Sequence, residues 1–315
     1  MGFDRPRPWF QASQATIIHA NYENLRSSRV TCGDQVWQTA EATDPGKGDP
    51  LATYETVLLE RRGPVAVLTL NRPDTANTFS RQVMAEMSLA CDEIGADDEI
   101  RVVIVTGAGE RHFSGGADLR EAGDVVRGTG KIVMPPRDVA LELERVPQPT
   151  IAAINGAAMG LGCEIALACD FRIMAEEAKI GLTEILFGGL PGAGGTQRLP
   201  RLIGIAKAKE LVFLGRRLTA HEALECGLVN EVVPRAQLLE RAEALAGELA
   251  ELADYALRTA KYLINEGVQM SLDQALSLER KLLLTMAAPE ERQAAVEAAM
   301  VKSETYRNIF AGGKA

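Results

Sequence analysis

One apolar segment, residues 151–171 (IAAINGAAMGLGCEIALACDF), constrains the fold more than any other part of the chain. It is long enough to cross a bilayer as a helix. However, it carries polar and helix-weakening residues, namely Asn155, Gly156, Gly160, Gly162, Glu164 and Asp170. A lipid-facing helix does not readily hold such groups. The segment therefore predicts a buried strand, a glycine turn and a buried helix, with a carboxyl group inside an apolar region.

The charge balance argues against two classes of partner. The chain has 34 Lys and Arg residues against 43 Asp and Glu residues, which gives a net charge of −9 at pH 7. Nucleic-acid binding needs a basic face, and anionic membrane surfaces attract basic proteins. We therefore expect neither nucleic acid nor a membrane as a partner, although a few backbone amides are enough to hold a small anion.

The cysteines and histidines indicate a reduced compartment and no bound metal. The five cysteines include no CxxC pair, and the three histidines are scattered without an HExxH motif. Disulfide scaffolds and catalytic zinc sites normally show such spacings. The first residues contain no apolar stretch typical of a secretory signal. We therefore expect a cytoplasmic protein with no protein-bound metal.

The chain divides into three regions by pattern. Residues 1–52 lack apolar periodicity and end in a turn-rich stretch, which predicts a poorly ordered extension. Residues 53–250 alternate strand and helix patterns and predict a mixed α/β core. Residues 251–315 read as almost entirely helical. Individual elements are also predicted: strands at 65–70, 101–105, 150–154 and 171–174, a helix capped by Ser80, and capping boxes at Thr219–Glu222 and Ser271–Gln274.

Two glutamates stand out as candidate acid/base groups. Glu164 and Glu184 both have apolar or small neighbours, and neither has an Arg or Lys at helical spacing. Burial without a cation raises the pKa of a carboxyl group. Two carboxyl groups in different environments form an acid/base pair. The alternative reading of any such glutamate is a salt-bridged or surface residue.

Glycine-rich turns frame these glutamates. The segment Ser114–Asp118 (SGGAD) follows a strand, and Gly160–Cys163 (GLGC) precedes the predicted helix. Small residues let a ligand approach the backbone closely, and free amides at a helix start stabilise a negative oxygen. The alternative is that both segments are simply tight turns.

Five segments in order resemble one family. They are NRPDTANTF, HFSGGADL, INGAAMGLGCEIALACDFRI, GLTEILFGGLPGAGGTQRLPRLIG and GRRLTAHEALECGLVNEVV. The sequence from about Tyr54 to the C-terminal helices resembles the crotonase (enoyl-CoA hydratase/isomerase) family. This resemblance implies an α/β fold, a spiral of ββα turns followed by C-terminal helices that form trimers or dimers of trimers. It also implies an acyl-CoA thioester substrate, no cofactor, and a role in fatty-acid metabolism such as β-oxidation.

The resemblance also implies roles for individual residues. The backbone amides of Gly115 and Leu161 would hold the thioester oxygen, while Glu164 would deprotonate water and Glu184 would protonate the α carbon. The amide of Gly192 would help to hold the water. The substrate-binding set implied by the resemblance is Gly115, Gly116, Ala117, Asp118, Leu161 and Gly192.

The two retained glutamates favour an enoyl-CoA hydratase among the family's activities. The alternatives are a double-bond isomerase that uses mainly Glu184, a hydratase or lyase for an unusual acyl-CoA, and an acyl-CoA-binding scaffold without turnover. The chain departs from the family pattern in three places: Leu161 stands where most members have Gly, 122–138 reads as a loop over the acyl chain, and Gln293-Ala294 replaces a common Glu-Gly pair.

Overall fold

The computed structural model describes residues 49–121, 138–286 and 288–302. The predicted extension over 1–52 lies outside the described residues except for its last four positions, and the predicted loop over 122–138 lies outside them except for Asp138. The first strand, β1 (Asp49–Thr53), crosses the boundary predicted at residue 52.

The larger sheet has seven strands in the order β1-β2-β3-β4-β6-β8-β11. Its other members are β2 (Val57–Arg62), β3 (Val65–Leu70), β4 (Val102–Gly107), β6 (Thr150–Ile154), β8 (Phe171–Ala175) and β11 (Glu231–Val233). The first three strands pair antiparallel, and the pairs from β3 to β11 are parallel. Every residue of β6 is buried, as expected for a parallel strand covered on both faces.

A second sheet has four short strands in the order β10-β9-β7-β5. They are β5 (His112–Ser114), β7 (Ala157–Met159), β9 (Lys179–Gly181) and β10 (Leu218–Thr219). The consecutive pairs β4/β5, β6/β7 and β8/β9 each give one strand to either sheet. The chain therefore winds as a repeated ββα spiral, which confirms the predicted fold class.

The described helices connect and follow these strands. They are α1 (Arg81–Ala96), α2 (Val139–Arg145), α3 (Leu161–Ala168), α4 (Gly195–Ile203), α5 (Ile205–Leu214), α6 (Ala220–Glu225), α7 (Leu238–Ala250), α8 (Asp254–Gly267), α9 (Leu272–Thr285) and α10 (Pro289–Lys302). None of them is long and apolar enough to cross a membrane.

Local sequence signals explain where several elements begin. The Ser80 hydroxyl accepts a hydrogen bond from the Val83 N–H and caps α1. Both predicted capping boxes form, at the starts of α6 and α9. The segment over 151–171 forms β6, β7 and then α3, which is buried from Gly162 to Ala168.

The described residues fall into two compact units, one ending at residue 261 and the other beginning at residue 262. The boundary predicted at residue 250 stays a prediction. Lys261 is anchored in the first unit, because its ammonium group pairs with Asp170 at 2.8 Å and donates to the Gln148 carbonyl at 2.9 Å. The described part of the second unit contains the end of α8 together with α9 and α10. No residue of α9 is buried.

Candidate active site

Glu164 lies in the first turn of α3 and is only 2% exposed. Its Oε1 atom accepts hydrogen bonds from the N–H groups of Ala193 and Gly195, both at 2.8 Å. Gly195 is the first residue of α4, so the carboxyl group sits at the positive end of that helix. These donors stabilise the ionised form of Glu164.

Burial works against that ionised form. It raises the pKa of Glu164 from 4.5 to about 7, although the Gly195 and Ala193 amides oppose the change. The nearby Glu184 carboxyl raises the pKa further, and Arg198 lowers it. The balance leaves Glu164 able to take up and release a proton near neutral pH.

Glu184 begins a 3-10 helix, Glu184–Phe187, and faces the glycine turn before α3. A Cβ at Gly160 would lie 3.2 Å from its Oε1 atom, so the carboxyl group rests against bare backbone. Its Oε2 atom is buried and has no hydrogen-bond partner among the described residues. Burial raises the pKa of Glu184. Because no donor stabilises that oxygen as an anion, this environment favours a protonated carboxyl group.

The structure places both glutamates around the same turn. The Glu164 N–H donates to the Gly160 carbonyl at 3.0 Å, and the Glu184 carboxyl covers the other side of Gly160. Two neighbouring buried carboxyl groups share protons more readily than they both ionise. The arrangement therefore suits one base and one acid.

The candidate oxyanion amide in the first glycine segment is not the predicted one. The Gly115 N–H donates to the Ala76 carbonyl at 2.8 Å and is therefore occupied. Phe79 bonds on one side of the segment, donating to Gly116 O at 2.8 Å and accepting from Asp118 N at 3.0 Å. In this parallel bridge the intervening Ala117 N–H points away from Phe79. We therefore reassign the donor from Gly115 to Ala117, whose N–H has no hydrogen-bond partner among the described residues.

The second amide is that of Leu161, the first residue of α3, where helical N–H groups lack internal acceptors. Gly116 brings the two segments together. It has φ of 97°, and a Cβ there would lie 2.7 Å from the Met159 carbonyl and 3.4 Å from the Leu161 nitrogen. Only glycine permits this close approach. The Leu161 side chain is half-buried against the core.

Asp118 and Ser114 support the loop. The Asp118 carboxylate pairs with Arg72 at 3.1 Å and accepts the Arg120 N–H at 3.1 Å. The buried Ser114 hydroxyl donates to the Asn77 carbonyl at 2.8 Å and accepts from the Gly116 N–H at 3.1 Å. The Asp118 carboxylate therefore stabilises the loop, and Asp118 also lines the cavity described next, so its predicted place in the substrate-binding set stays a prediction.

A cavity of about 580 Å³ opens beside this loop. Ala117 lines it, whereas neither glutamate does. Its walls come from 73–76, 78, 108–112, 115 and 117–120, and they include both basic and acidic residues: Arg111, Arg120, Asp74, Glu110 and Asp118. The cavity therefore borders the Ala117 loop and not the two glutamates.

The sequence did not predict the residues that donate hydrogen bonds to Glu164. Ala193 and Gly195 supply the hydrogen bonds to Glu164, and the GAGG pattern was the one visible signal of such a turn. The predicted role of the exposed Gly192 amide remains a prediction. The described residues contain no group of three or more side chains arranged to hold a metal ion.

Comparison with known proteins gives consistent matches. A family model described as "Enoyl-CoA hydratase/isomerase" matches residues 60–306. A short-chain-enoyl-CoA hydratase of Clostridium acetobutylicum is 40% identical, with 80% of this chain and 98% of the relative covered. A crotonyl-CoA hydratase of Syntrophomonas wolfei is 37% identical, with coverage of 72% and 87%. A crystal structure of an enoyl-CoA hydratase from Bacillus anthracis superposes with a TM-score of 0.74 at 42% identity, covering 79% of this chain and 97% of that one.

Proposed function

The chain belongs to the enoyl-CoA hydratase/isomerase family, and from that premise we propose that it adds water reversibly to a 2-enoyl-CoA thioester. The observation that carries this proposal is the pair of glutamates around Gly160: Glu164 is buried with two backbone N–H groups on one oxygen, and Glu184 is half-buried with one oxygen that has no hydrogen-bond partner among the described residues. Hydration needs a base for the water and an acid for the α carbon. A single-carboxylate isomerisation does not need both.

Glu164 acts as the base. Its Oε1 atom is fixed by two backbone amides, which leaves Oε2 to accept a proton from water. The water oxygen then attacks the β carbon, and the electron pair of the double bond moves toward the thioester carbonyl. The amide donors favour the anionic starting state of this carboxylate.

Glu184 acts as the acid. Its unpartnered, buried oxygen favours the protonated form, which donates a proton to the α carbon of the enolate. The product is a 3-hydroxyacyl-CoA. In the reverse direction the two residues exchange roles.

The amides of Ala117 and Leu161 stabilise the negative charge on the thioester oxygen. Each donor of this kind contributes about 3 kcal/mol to the transition state. The thioester itself activates the double bond, so the proposed reaction uses no cofactor. Gly116 has a necessary part in this site because its missing side chain allows the two segments to approach.

The cavity fits the remainder of a CoA ester. The acyl end lies at the glutamates, and the thioester lies at Ala117, where the cavity begins. Arg111 and Arg120 line the cavity and could bind phosphate groups, alongside the carboxyl residues Asp74, Glu110 and Asp118, of which Asp118 is paired with Arg72. In this proposal the ligand extends from the glutamates past Ala117 into the cavity.

We also propose a homotrimer or a dimer of trimers as the working form, in the cytoplasm. Large apolar side chains remain exposed on the spiral, including Phe187 at 69%, Leu190 at 69% and Phe213 at 67%. On α9, Leu272 and Leu284 are 73% and 74% exposed. Apolar surfaces of this extent are typical of subunit interfaces. The four described cysteines carry free thiols, in keeping with a reducing compartment.

The test is to incubate the purified protein with 2-enoyl-CoA and 3-enoyl-CoA esters of several chain lengths and to separate the products by mass and retention. We expect 2-enoyl esters to gain one water. If 3-enoyl esters are converted to 2-enoyl esters and this conversion survives Glu164→Gln, the protein is an isomerase built on Glu184. If no ester is turned over while CoA esters still bind, the hydratase proposal is wrong and a scaffold role replaces it.

A further inference from the structure

The turn that binds Glu164 is itself held by a largely buried arginine side chain of α4. Arg198 donates from Nη1 to the Ala193 carbonyl at 2.7 Å. The N–H group of the same residue, Ala193, donates to Glu164 Oε1 at 2.8 Å. Arg198 therefore binds the residue whose N–H group binds the Glu164 carboxylate, but it makes no hydrogen bond to the carboxylate itself.

A carboxylate on α2 fixes the arginine in turn. Arg198 donates from Nε to Glu144 Oε1 at 3.0 Å and from Nη2 to Glu144 Oε2 at 2.7 Å. The Arg198 side chain is 13% exposed and that of Glu144 is 31% exposed. A two-point arginine–carboxylate contact restricts orientation as well as distance. Each of the three guanidinium nitrogens therefore donates a hydrogen bond, two of them to Glu144 on α2 and one to the turn.

Gly194 provides the space for this contact. It caps α4 with φ of 98°, and a Cβ at this position would overlap the Arg198 guanidinium. Ala193, Gly194 and Gly195 thus act together. The N–H groups of Ala193 and Gly195 donate to Glu164, and Gly194 leaves space for the Arg198 side chain.

We propose that Arg198 is a positioning residue for the hydration step, acting on Glu164 through the backbone of Ala193 and held in place by Glu144. The inference rests on the proposed function, because it assigns Arg198 to the residue proposed as the base. Arg198 has no contact with substrate in this scheme. It keeps the Ala193 N–H aimed at Oε1, so that Oε2 stays in place for water.

The charge of Arg198 has a second effect on the same carboxylate. Glu164 is surrounded by Glu184 from the 3-10 helix, the Cys163 thiol from α3 and Arg198 from α4. Arg198 faces Glu144 and Asp138 in addition to Glu164. Of these groups, Arg198 alone carries positive charge, so its removal raises the pKa of Glu164.

The experiment compares Arg198→Met with Arg201→Met, a matched control on the same helix. Arg201 is exposed and donates only to Gln197. On crotonyl-CoA we expect Arg198→Met to lower kcat about 10- to 100-fold with little change in KM, since small displacements of a reacting group cost this much. Arg201→Met should match the wild type.

A second measurement is the pH at which Glu164 loses its proton. A purely structural role of Arg198 would leave this pH unchanged. We would follow the carboxyl stretch by infrared spectroscopy against pH and assign it by its loss in Glu164→Gln. We expect the midpoint to rise in Arg198→Met. Arg198→Lys keeps the charge but loses the two-point contact, so its midpoint should stay near the wild-type value while kcat still falls.

Two further variants keep the test decisive if Arg198→Met does not fold. Glu144→Gln weakens the clamp without removing Arg198, and Gly194→Ala displaces the guanidinium without changing any charge; both should lower kcat in protein that is folded by circular dichroism. The inference is overturned if the folded Arg198 or Glu144 variants keep wild-type kcat and an unchanged infrared midpoint. A wild-type protein that fails to hydrate crotonyl-CoA would instead contradict the proposed function, and the infrared titration would still test the positioning role.

Discussion

The proposed roles of the two glutamates rest on their different hydrogen-bond partners. Glu164 accepts two backbone N–H groups at the start of α4, whereas one oxygen of Glu184 is buried without a donor. Burial raises the pKa of both carboxyl groups, so each can hold a proton nearer to neutral pH than an exposed glutamate. The donors then decide which of the two carries the negative charge.

The first prediction concerns the pH dependence of hydration. As the pH increases through about 7, Glu164 loses its proton and becomes a competent base, so kcat/KM for crotonyl-CoA should rise. At higher pH the activity should fall as Glu184 ionises. Steady-state rates from pH 5 to 10 at constant ionic strength check this. A flat profile across neutral pH would contradict the role of Glu164.

The second prediction concerns stability. The pKa of Glu164 is about 7 in the folded chain and near 4.5 when unfolded, so the folded state binds the proton more tightly. This contribution is complete below about pH 4.5 and is lost as the pH rises through 7. Its size is about 3 kcal/mol. The free energy of unfolding of Glu164→Gln minus that of wild type should therefore be larger at pH 8 than at pH 5. Urea unfolding at the two pH values measures this difference. Equal differences at the two pH values would refute this.

The third prediction tests Gly116. Alanine at this position would bring its Cβ to 2.7 Å from the Met159 carbonyl and force apart the two segments that present the amides. We expect a loss of about 100-fold or more in kcat, comparable to the loss of one oxyanion donor. Gly63→Ala is the matched control, since Gly63 also has positive φ but has nothing within 4 Å of the added Cβ. Similar activity losses in both variants would implicate general strain instead.

Among the elements, two helices carry the supports of the site. The start of α4 presents the Gly195 amide to Glu164, and α2 carries the carboxylate that clamps Arg198. The Asp138 carboxylate caps α2 by accepting the N–H groups of Ala140 and Leu141, both at 3.1 Å. The support of the active site therefore depends in part on a capping residue remote from the chemistry.

The fourth prediction follows from this cap. Asp138→Ala should lower the free energy of unfolding by about 1 kcal/mol, because two helix N–H groups lose their acceptor. Asp138→Asn keeps a good capping side chain and should cost much less. Urea unfolding of the two variants makes the comparison. Identical losses would show that the charge of Asp138, and not its cap, is what matters.

Elements with strong local signals could be predicted from sequence. The strand over 65–70, the Ser80 cap and both capping boxes are confirmed because each depends on neighbouring residues. The four-stranded second sheet was not predicted. Its strands have only two or three residues, and they pair across long sequence separations, so no local periodicity reveals them.

The site shows the same limit. Glu164 and Glu184 could be singled out because a carboxyl group in an apolar run is visible in the sequence. The choice between Gly115 and Ala117 as amide donor depends on which N–H is already bonded to Ala76 or directed away from Phe79. The contact of Arg198 with Glu144 joins residues 54 positions apart. Such pairings arise from the fold and leave no local signal.

At the scale of the whole molecule, the spiral aligns the glycine segments because each turn adds one strand to the larger sheet and one to the smaller sheet. β5 and β7 pair in parallel, so the loops that follow them emerge side by side as Ser114–Asp118 and Gly160–Leu161. The ligand site is thus a product of strand order. This arrangement explains how two chain segments that are distant in sequence supply one pair of amides.

The fifth prediction concerns assembly. Because Phe187, Leu190 and Phe213 are exposed on the spiral, we expect subunits to cover them. Light scattering after size-exclusion chromatography should give a mass of three or six times the 33.9-kDa chain. Phe213→Asp should shift the mass downward if this surface is an interface. A stable, active monomer in the wild type would contradict the proposal.

The most direct test of the central claim is the rate of water addition to crotonyl-CoA by Glu164→Gln and Glu184→Gln. Glu176→Gln, an exposed glutamate, serves as the control. If the two buried carboxyl groups act as base and acid, each of the first two variants should lose about 100- to 10,000-fold in kcat while the control keeps wild-type activity. All three proteins should still bind the CoA ester. Hydration at the wild-type rate by either active-site variant would contradict the account.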